Sequence, residues 1–200
     1  MQRTFIVSRL LAIASLIAAF DAAMAQPFAE KWSVSAFIGP TTTKFFSQIF
    51  LDGDFAASGA AIGINADRRL AYLGWGFTLA AEGLVTQGIA GRADTTASLG
   101  LGLEFTDFPW QARWPTSFSF FTGPSYSFDP PSLGGPKGNE PIFQRKPFLN
   151  YIGIEFAAAL SRAGKWDGVF RIFHRSGVFG LYSENADEGT MMGLGIRHRF

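Results

Sequence analysis

A serine hydroxyl is a weak nucleophile, useful only beside a base that takes its proton and a third group that orients that base. Near the end of this 200-residue chain, His174 and Ser176 are separated by a single residue. On a strand that spacing puts both on one face with Cα atoms about 6–7 Å apart, so an imidazole can reach the hydroxyl. Glu188 follows Ser176 by twelve residues, at the start of the last alternating run, and is the best placed acid. Glu184 and Asp187 lie in the same connection, and Asp187 takes the role if a bulge shifts the strand. Together these residues are equipped for acyl transfer. The other histidine, His198, stands among Arg197, Arg199 and Phe200 and reads as an interfacial side chain.

Such a trio needs strands held side by side, and the chain is rich in strand pattern. Its 23 glycines recur inside nearly every apolar segment, where each would cost a helix about 1 kcal/mol. Period-two alternation is widespread instead. Trp32, Val34, Ala36 and Ile38 alternate with Ser33, Ser35 and Phe37. A second run over 55–66 carries Ala60, Ile62 and Ile64, and a third over 70–82 carries Leu73, Trp75, Phe77, Leu79 and Ala81. A fourth, over 95–106, sets Ala97, Leu99, Leu101, Leu103 and Phe105 against Thr96, Ser98, Gly100, Gly102 and Glu104. Phe118 and Phe120 mark a fifth run, Ile152, Ile154 and Phe156 a sixth, and Phe170 and Ile172 lead into His174 and Ser176 as a seventh. Met192, Leu194, Ile196 and Phe200 close an eighth.

Connections at 67–69, 107–114 and 162–165 are shorter than those at 40–54, 86–94, 128–146 and 177–187. Short turns on one rim and long loops on the other, with both termini on the short-turn side, predict an all-β fold. It is an eight-stranded antiparallel transmembrane β-barrel of the bacterial outer membrane. The non-apolar face consists of Gly, Ser and Thr with isolated Glu82, Glu104, Glu155, Arg171 and Arg197. That is a poor water-facing surface for a lipocalin-like barrel but a good cramped lumen in which acids and bases pair. Eight strands filled in this way leave no room for a pore. The pairs Gly100/Gly102 and Gly193/Gly195 lack the following helix that a phosphate site needs, so they read as lumen packing. Trp75, Trp110, Trp114, Trp166 and Phe200 fall near strand ends, as interfacial girdles do.

The N-terminus agrees. Arg3 to Arg9 form a positive segment, Leu10 to Phe20 an apolar one, and Ala23-Met24-Ala25 a small-residue cleavage site, so residues 1–25 read as a cleaved signal peptide and 26–200 as the barrel domain. Its removal takes away Arg3, Arg9 and Asp21 from 17 basic and 16 acidic residues and leaves the two signs equal. Nucleic acid is thereby excluded as a partner for want of a basic footprint. With no cysteine, an exported chain must be held by something other than disulfides, and a closed hydrogen-bond ladder serves.

Parity then orients the chemistry. His174 and Ser176 share a face with Phe170 and Ile172, while Glu188 has the parity of Met192 and Leu194; Arg171 and Arg175 point the other way. If apolar means lipid-facing, all three polar residues point outward near the loop-bearing rim, where polar groups are expensive unless they act. The substrate would then be a membrane lipid.

The His-x-Ser pair on the penultimate strand, followed by Glu188 on the last, resembles the lipid A 3-O-deacylases of the PagL type over about the last thirty residues. The resemblance implies an outer-membrane serine esterase that hydrolyses the acyl ester at position 3 of lipid A. In it Ser176 is the nucleophile, His174 the general base and acid, and Glu188 the orienting carboxylate, with no metal or cofactor. That family usually has Asn directly after the serine. This chain has Gly177, so oxyanion and substrate positioning would fall to backbone N–H groups of the turn from Gly177 to Gly180 or to Asn185. The expected partners are lipopolysaccharide as substrate, the surrounding outer-membrane lipid, and the barrel-assembly machinery through Phe200; a homodimer is left open. Lys137, Arg145 and Lys146, in the Pro- and Gly-rich stretch 128–146, suit lipid A phosphates. The sequence also leaves open a non-catalytic small outer-membrane barrel with a structural, adhesion or envelope-integrity role, in which Gly177 marks lost catalysis.

Overall fold

The computed structural model describes residues 31–44, 46–91, 93–128, 147–161, 164–177 and 187–200, with the backbone alone at 46, 47, 50, 187 and 188. The strands are β1 (Trp32–Thr42), β2 (Gly59–Gly74), β3 (Phe77–Ala90), β4 (Thr95–Phe105), β5 (Thr116–Ser127), β6 (Phe148–Ala159), β7 (Trp166–Ser176) and β8 (Asp187–Arg199). A six-residue helix α1 (Phe46–Leu51) lies between β1 and β2. Neighbours pair antiparallel in chain order and β1 closes on β8, so no edge is left to expose backbone groups. Trp32 N–H donates to the Phe200 carbonyl at 3.0 Å and Phe200 N–H to the Trp32 carbonyl at 2.9 Å, which ties both ends of the described chain to one rim. The shortest strands have 11 residues; at about 3.3 Å per residue and a tilt near 45°, each climbs roughly 25 Å, the height of a lipid-facing band.

The alternation sorts as expected. Ile38, Ile64, Val85, Leu99, Leu101, Phe120, Leu194 and Ile196 are exposed on the outside, while Glu82, Glu104, Glu155, Arg171 and Arg197 are buried inside. Two connections differ most from the sequence expectation. The charged stretch 67–69 is not a turn: β2 runs straight through it to Gly74, and the turn is made by Trp75 and Gly76, both at positive φ (49° and 77°) as a type I′ hairpin requires. On the other rim, 86–94 is not a long loop, because β3 continues to Ala90 and only residues 91–94 connect it to β4. The predicted signal segment and residues 129–146, with Lys137, Arg145 and Lys146, lie outside the described residues.

The lumen is a packed polar plug. Arg171 donates from Nη2 to Glu82 at 2.5 Å and from Nη1 to Glu155 at 3.0 Å. Tyr151 donates its hydroxyl to Glu82 and receives a bond from Arg171 at 2.9 Å. Arg197 joins Glu155 at 3.2 Å to Asp167 at 2.8 Å, and Arg69 reaches Glu104 at 2.5 Å. Two large rings complete the filling, and each lies against a glycine: a Cβ on Gly153 would meet the Tyr151 hydroxyl, and one on Gly63 the Phe37 ring, at under 2.6 Å. A cavity of about 60 Å³ is lined by Thr41, Thr86, Thr96, Phe173 and Arg175, among others.

Candidate active site

The polar lumen fixes which way β7 faces. Arg171 is held inside by Glu82 and Glu155. Arg175 is held by the Ser125 hydroxyl, to which its Nε donates at 2.9 Å, and by the Pro147 carbonyl, to which its Nη2 donates at 2.9 Å. With Arg171 and Arg175 anchored inward, the alternate residues Phe170, Ile172, His174 and Ser176 take the outward face. The Arg175 bonds also tie the end of β7 to β5 and to the first turn of chain entering β6, so the strands flanking the site are braced from within.

Outward does not mean exposed at this end. Lower on the same face Phe170 is 40% exposed and Leu194 67%, yet His174 is 3% exposed, Ile172 6%, Asn150 6% and Thr190 2%. Ser176 is half-buried and Gly177 buried. The apolar wall therefore gives way, near the loop-bearing rim, to a covered polar row. Its members are neighbours by strand register: Thr42 pairs with Thr190, Thr190 with His174, and Asn150 with Ser176.

Within that row His174 Nδ1 lies 3.0 Å from Thr190 Oγ1. Asn150 donates from Nδ2 to Thr122 Oγ1 at 3.1 Å and to the Tyr151 carbonyl at 3.0 Å. Thr42 Oγ1 accepts from the Lys44 N–H at 3.2 Å. Neither Thr190 nor Asn150 was a sequence candidate, although each carried a signal. Thr190 has the parity of Met192 and Leu194, and Asn150 that of Phe148 and Ile152, so each is a polar residue in an apolar register.

The β7–β8 pairing is irregular where the acids lie. Arg175 is opposite Gly189, but Ser176 is opposite Asp187, so Glu188 is the extra residue of a β-bulge. Gly189 makes the bulge with φ at +101°, a conformation other residues avoid, and a Cβ there would meet the Thr42 carbonyl oxygen at 2.2 Å. This is the shift under which Asp187 competes with Glu188 for the carboxylate role. Gly180, Glu184 and Asn185 lie outside the described residues. At the opposite rim His198 sits between Trp166, at 4.6 Å between ring centroids, and Phe200, at 5.9 Å, as part of the aromatic girdle. No group of His, Cys, Asp or Glu that could hold a metal ion occurs among the described residues.

No family model matches the chain, and no curated protein resembles it significantly. Among solved structures, the crystal structure of the outer membrane enzyme PagL superposes with a TM-score of 0.59 and 13% identity, over 84% of this chain and 99% of that one. The backbone structure of the Yersinia pestis outer membrane protein Ail, in a phospholipid bilayer nanodisc, aligns with a TM-score of 0.42 and 13% identity, over 86% of this chain and 99% of that one. The likeness to PagL, at that identity, shows a shared fold, an eight-stranded barrel of the outer-membrane kind.

Proposed function

We propose that the chain is an outer-membrane serine esterase that hydrolyses the ester-linked acyl chain at position 3 of lipid A. The observation that carries this reading is the placement of His174 and Ser176 on the lipid-facing side of the barrel near its loop-bearing rim. A substrate that reaches Ser176 comes along the lipid side, and its ester must lie at the depth where acyl chains meet head groups. Acylated sugars of the outer leaflet meet that requirement and soluble esters do not.

In this mechanism Ser176 Oγ attacks the ester carbonyl carbon while His174 Nε2 takes the hydroxyl proton. The tetrahedral intermediate collapses as His174 returns that proton to the sugar oxygen, which leaves as an alcohol. Water, deprotonated by the same nitrogen, then attacks the acyl–Ser176 ester, releasing the fatty acid and restoring the serine. Glu188 is assigned the carboxylate that stabilises the imidazolium, with Asp187 its rival across the bulge. The developing oxyanion is assigned to the backbone N–H of Gly177, supported by Gly180 and Asn185. Export through residues 1–25 and recognition of Phe200 by assembly machinery would bring the protein to the outer membrane.

Mass spectrometry of lipid A from cells with and without the protein tests the reading. Loss of one ester-linked acyl chain is expected with the parent protein, and Ser176→Ala should reduce that loss at least about a thousand-fold. Intact lipid A, or a loss that persists in Ser176→Ala, sinks the esterase and favours a structural or adhesive barrel.

A further inference from the structure

We propose that Thr190 is the positioning residue for His174, accepting the Nδ1 proton and so fixing the imidazole tautomer whose Nε2 lone pair serves Ser176. The proposal rests on the esterase reading for its catalytic consequence, but its structural half stands alone.

Three observations carry it. Strand register makes Thr190, not a carboxylate, the residue directly opposite His174, and the two side chains meet at 3.0 Å. Both are nearly inaccessible, at 3% and 2% exposure, so water does not compete for Nδ1. And Thr190 is itself immobilised: its β-branched side chain has few χ1 choices, its backbone pairs with Thr42 on one side and His174 on the other, and it follows the Gly189 bulge directly.

The acids lie one step nearer the rim, where Asp187 is opposite Ser176. A hydroxyl is suited to stand between such groups because it accepts one hydrogen bond and donates another. Thr190 Oγ1 takes the Nδ1 hydrogen and keeps its own proton to donate in turn. A carboxylate alone cannot do both. With Nδ1 protonated and occupied, Nε2 is left as the basic nitrogen, the tautomer that general-base catalysis requires.

The test uses the full-length barrel refolded in detergent micelles with ¹⁵N-labelled histidine. The chain has only two histidines, so the ring signals of His174 are assigned by comparison with His198→Gln. The parent protein should show His174 held as the Nδ1–H tautomer. Thr190→Val keeps the branched shape and strand propensity, and should release the ring to a mixture of tautomers, while Thr190→Ser should keep the parent spectrum. On a lipid A substrate, Thr190→Val should lower kcat about ten-fold or more with KM changed less than about two-fold, and Thr190→Ser should restore most of the loss. An unchanged tautomer in Thr190→Val, or a Thr190→Ser as impaired as Thr190→Val, overturns the proposal. Hydrolysis that persists in Ser176→Ala overturns the esterase reading instead, and the tautomer measurement still decides the role of Thr190.

Discussion

Replacing Arg171 by Met removes the cation at the centre of the lumen, and the geometry says which acid suffers. Arg171 is fully buried and bridges Glu82 and Glu155, at 2.5 and 3.0 Å. Glu155 keeps a second cation, Arg197 at 3.2 Å. The other partners of Glu82 are the Asn65 amide at 3.0 Å, the Tyr151 hydroxyl and the Asp67 carboxyl, none of them a cation. Breaking a buried pair and leaving one charge uncompensated costs about 3–5 kcal/mol, whereas neutralising both partners is close to neutral. Arg171→Met should therefore destabilise the barrel by about 3–5 kcal/mol. Adding Glu82→Gln should recover at least about 2 kcal/mol of that, and adding Glu155→Gln clearly less. Urea unfolding from lipid vesicles, followed by tryptophan fluorescence, measures the parent and the three variants. A cost below about 1 kcal/mol for Arg171→Met, typical of a solvated pair, would refute the reasoning. So would a Glu155→Gln that rescues as well as Glu82→Gln.

Two further perturbations act at the closing hairpin. Glu188→Gln should lower ester hydrolysis at least about a hundred-fold while Asp187→Asn stays within a few-fold of the parent, as measured by fatty acid release; the reverse order moves the carboxylate role to Asp187. Gly189→Ala forces a side chain into positive φ and against the Thr42 carbonyl, and should cost about 1–3 kcal/mol in urea unfolding. Gly83→Ala, whose Cβ would meet only Leu99 at 3.9 Å, should stay within about 0.5 kcal/mol of the parent.

The strand number and the two faces were legible because a barrel wall with unlike environments on its two sides imposes period two on the sequence. The second turn was not, for an identifiable reason. Asp67 and Arg69 look like turn residues, but they are lumenal: Asp67 accepts from Asn65 at 3.0 Å and Arg69 pairs with Glu104. Leu73 and Phe77 both face outward on the two sides of the true turn, so the alternation ran through Trp75 without a break. The His174–Ser176 face was equally legible from parity. Thr190 and Asn150 were not, because a lone Thr or Asn in a strand says little until strand register shows what stands beside it. No residue pattern announces the bulge except Gly189, one of many glycines.

The covered row on the outward face bears on whether this end of the barrel is merely structural. A polar group away from water is costly unless it is hydrogen-bonded, and the row meets that demand member by member. His174 is engaged by Thr190, Asn150 by Thr122 and the Tyr151 carbonyl, and Thr42 by the Lys44 N–H. Ser176 is the least covered member of the row: it is half-buried and lies two residues from His174 on the same face. A row selected only for stability would do as well with alanine there. The esterase reading asks of Ser176 instead that its hydroxyl hand a proton to His174. Ser176→Ala should accordingly leave urea unfolding within about 0.5 kcal/mol of the parent, while it abolishes turnover; a larger loss of stability would make Ser176 a structural member of the row.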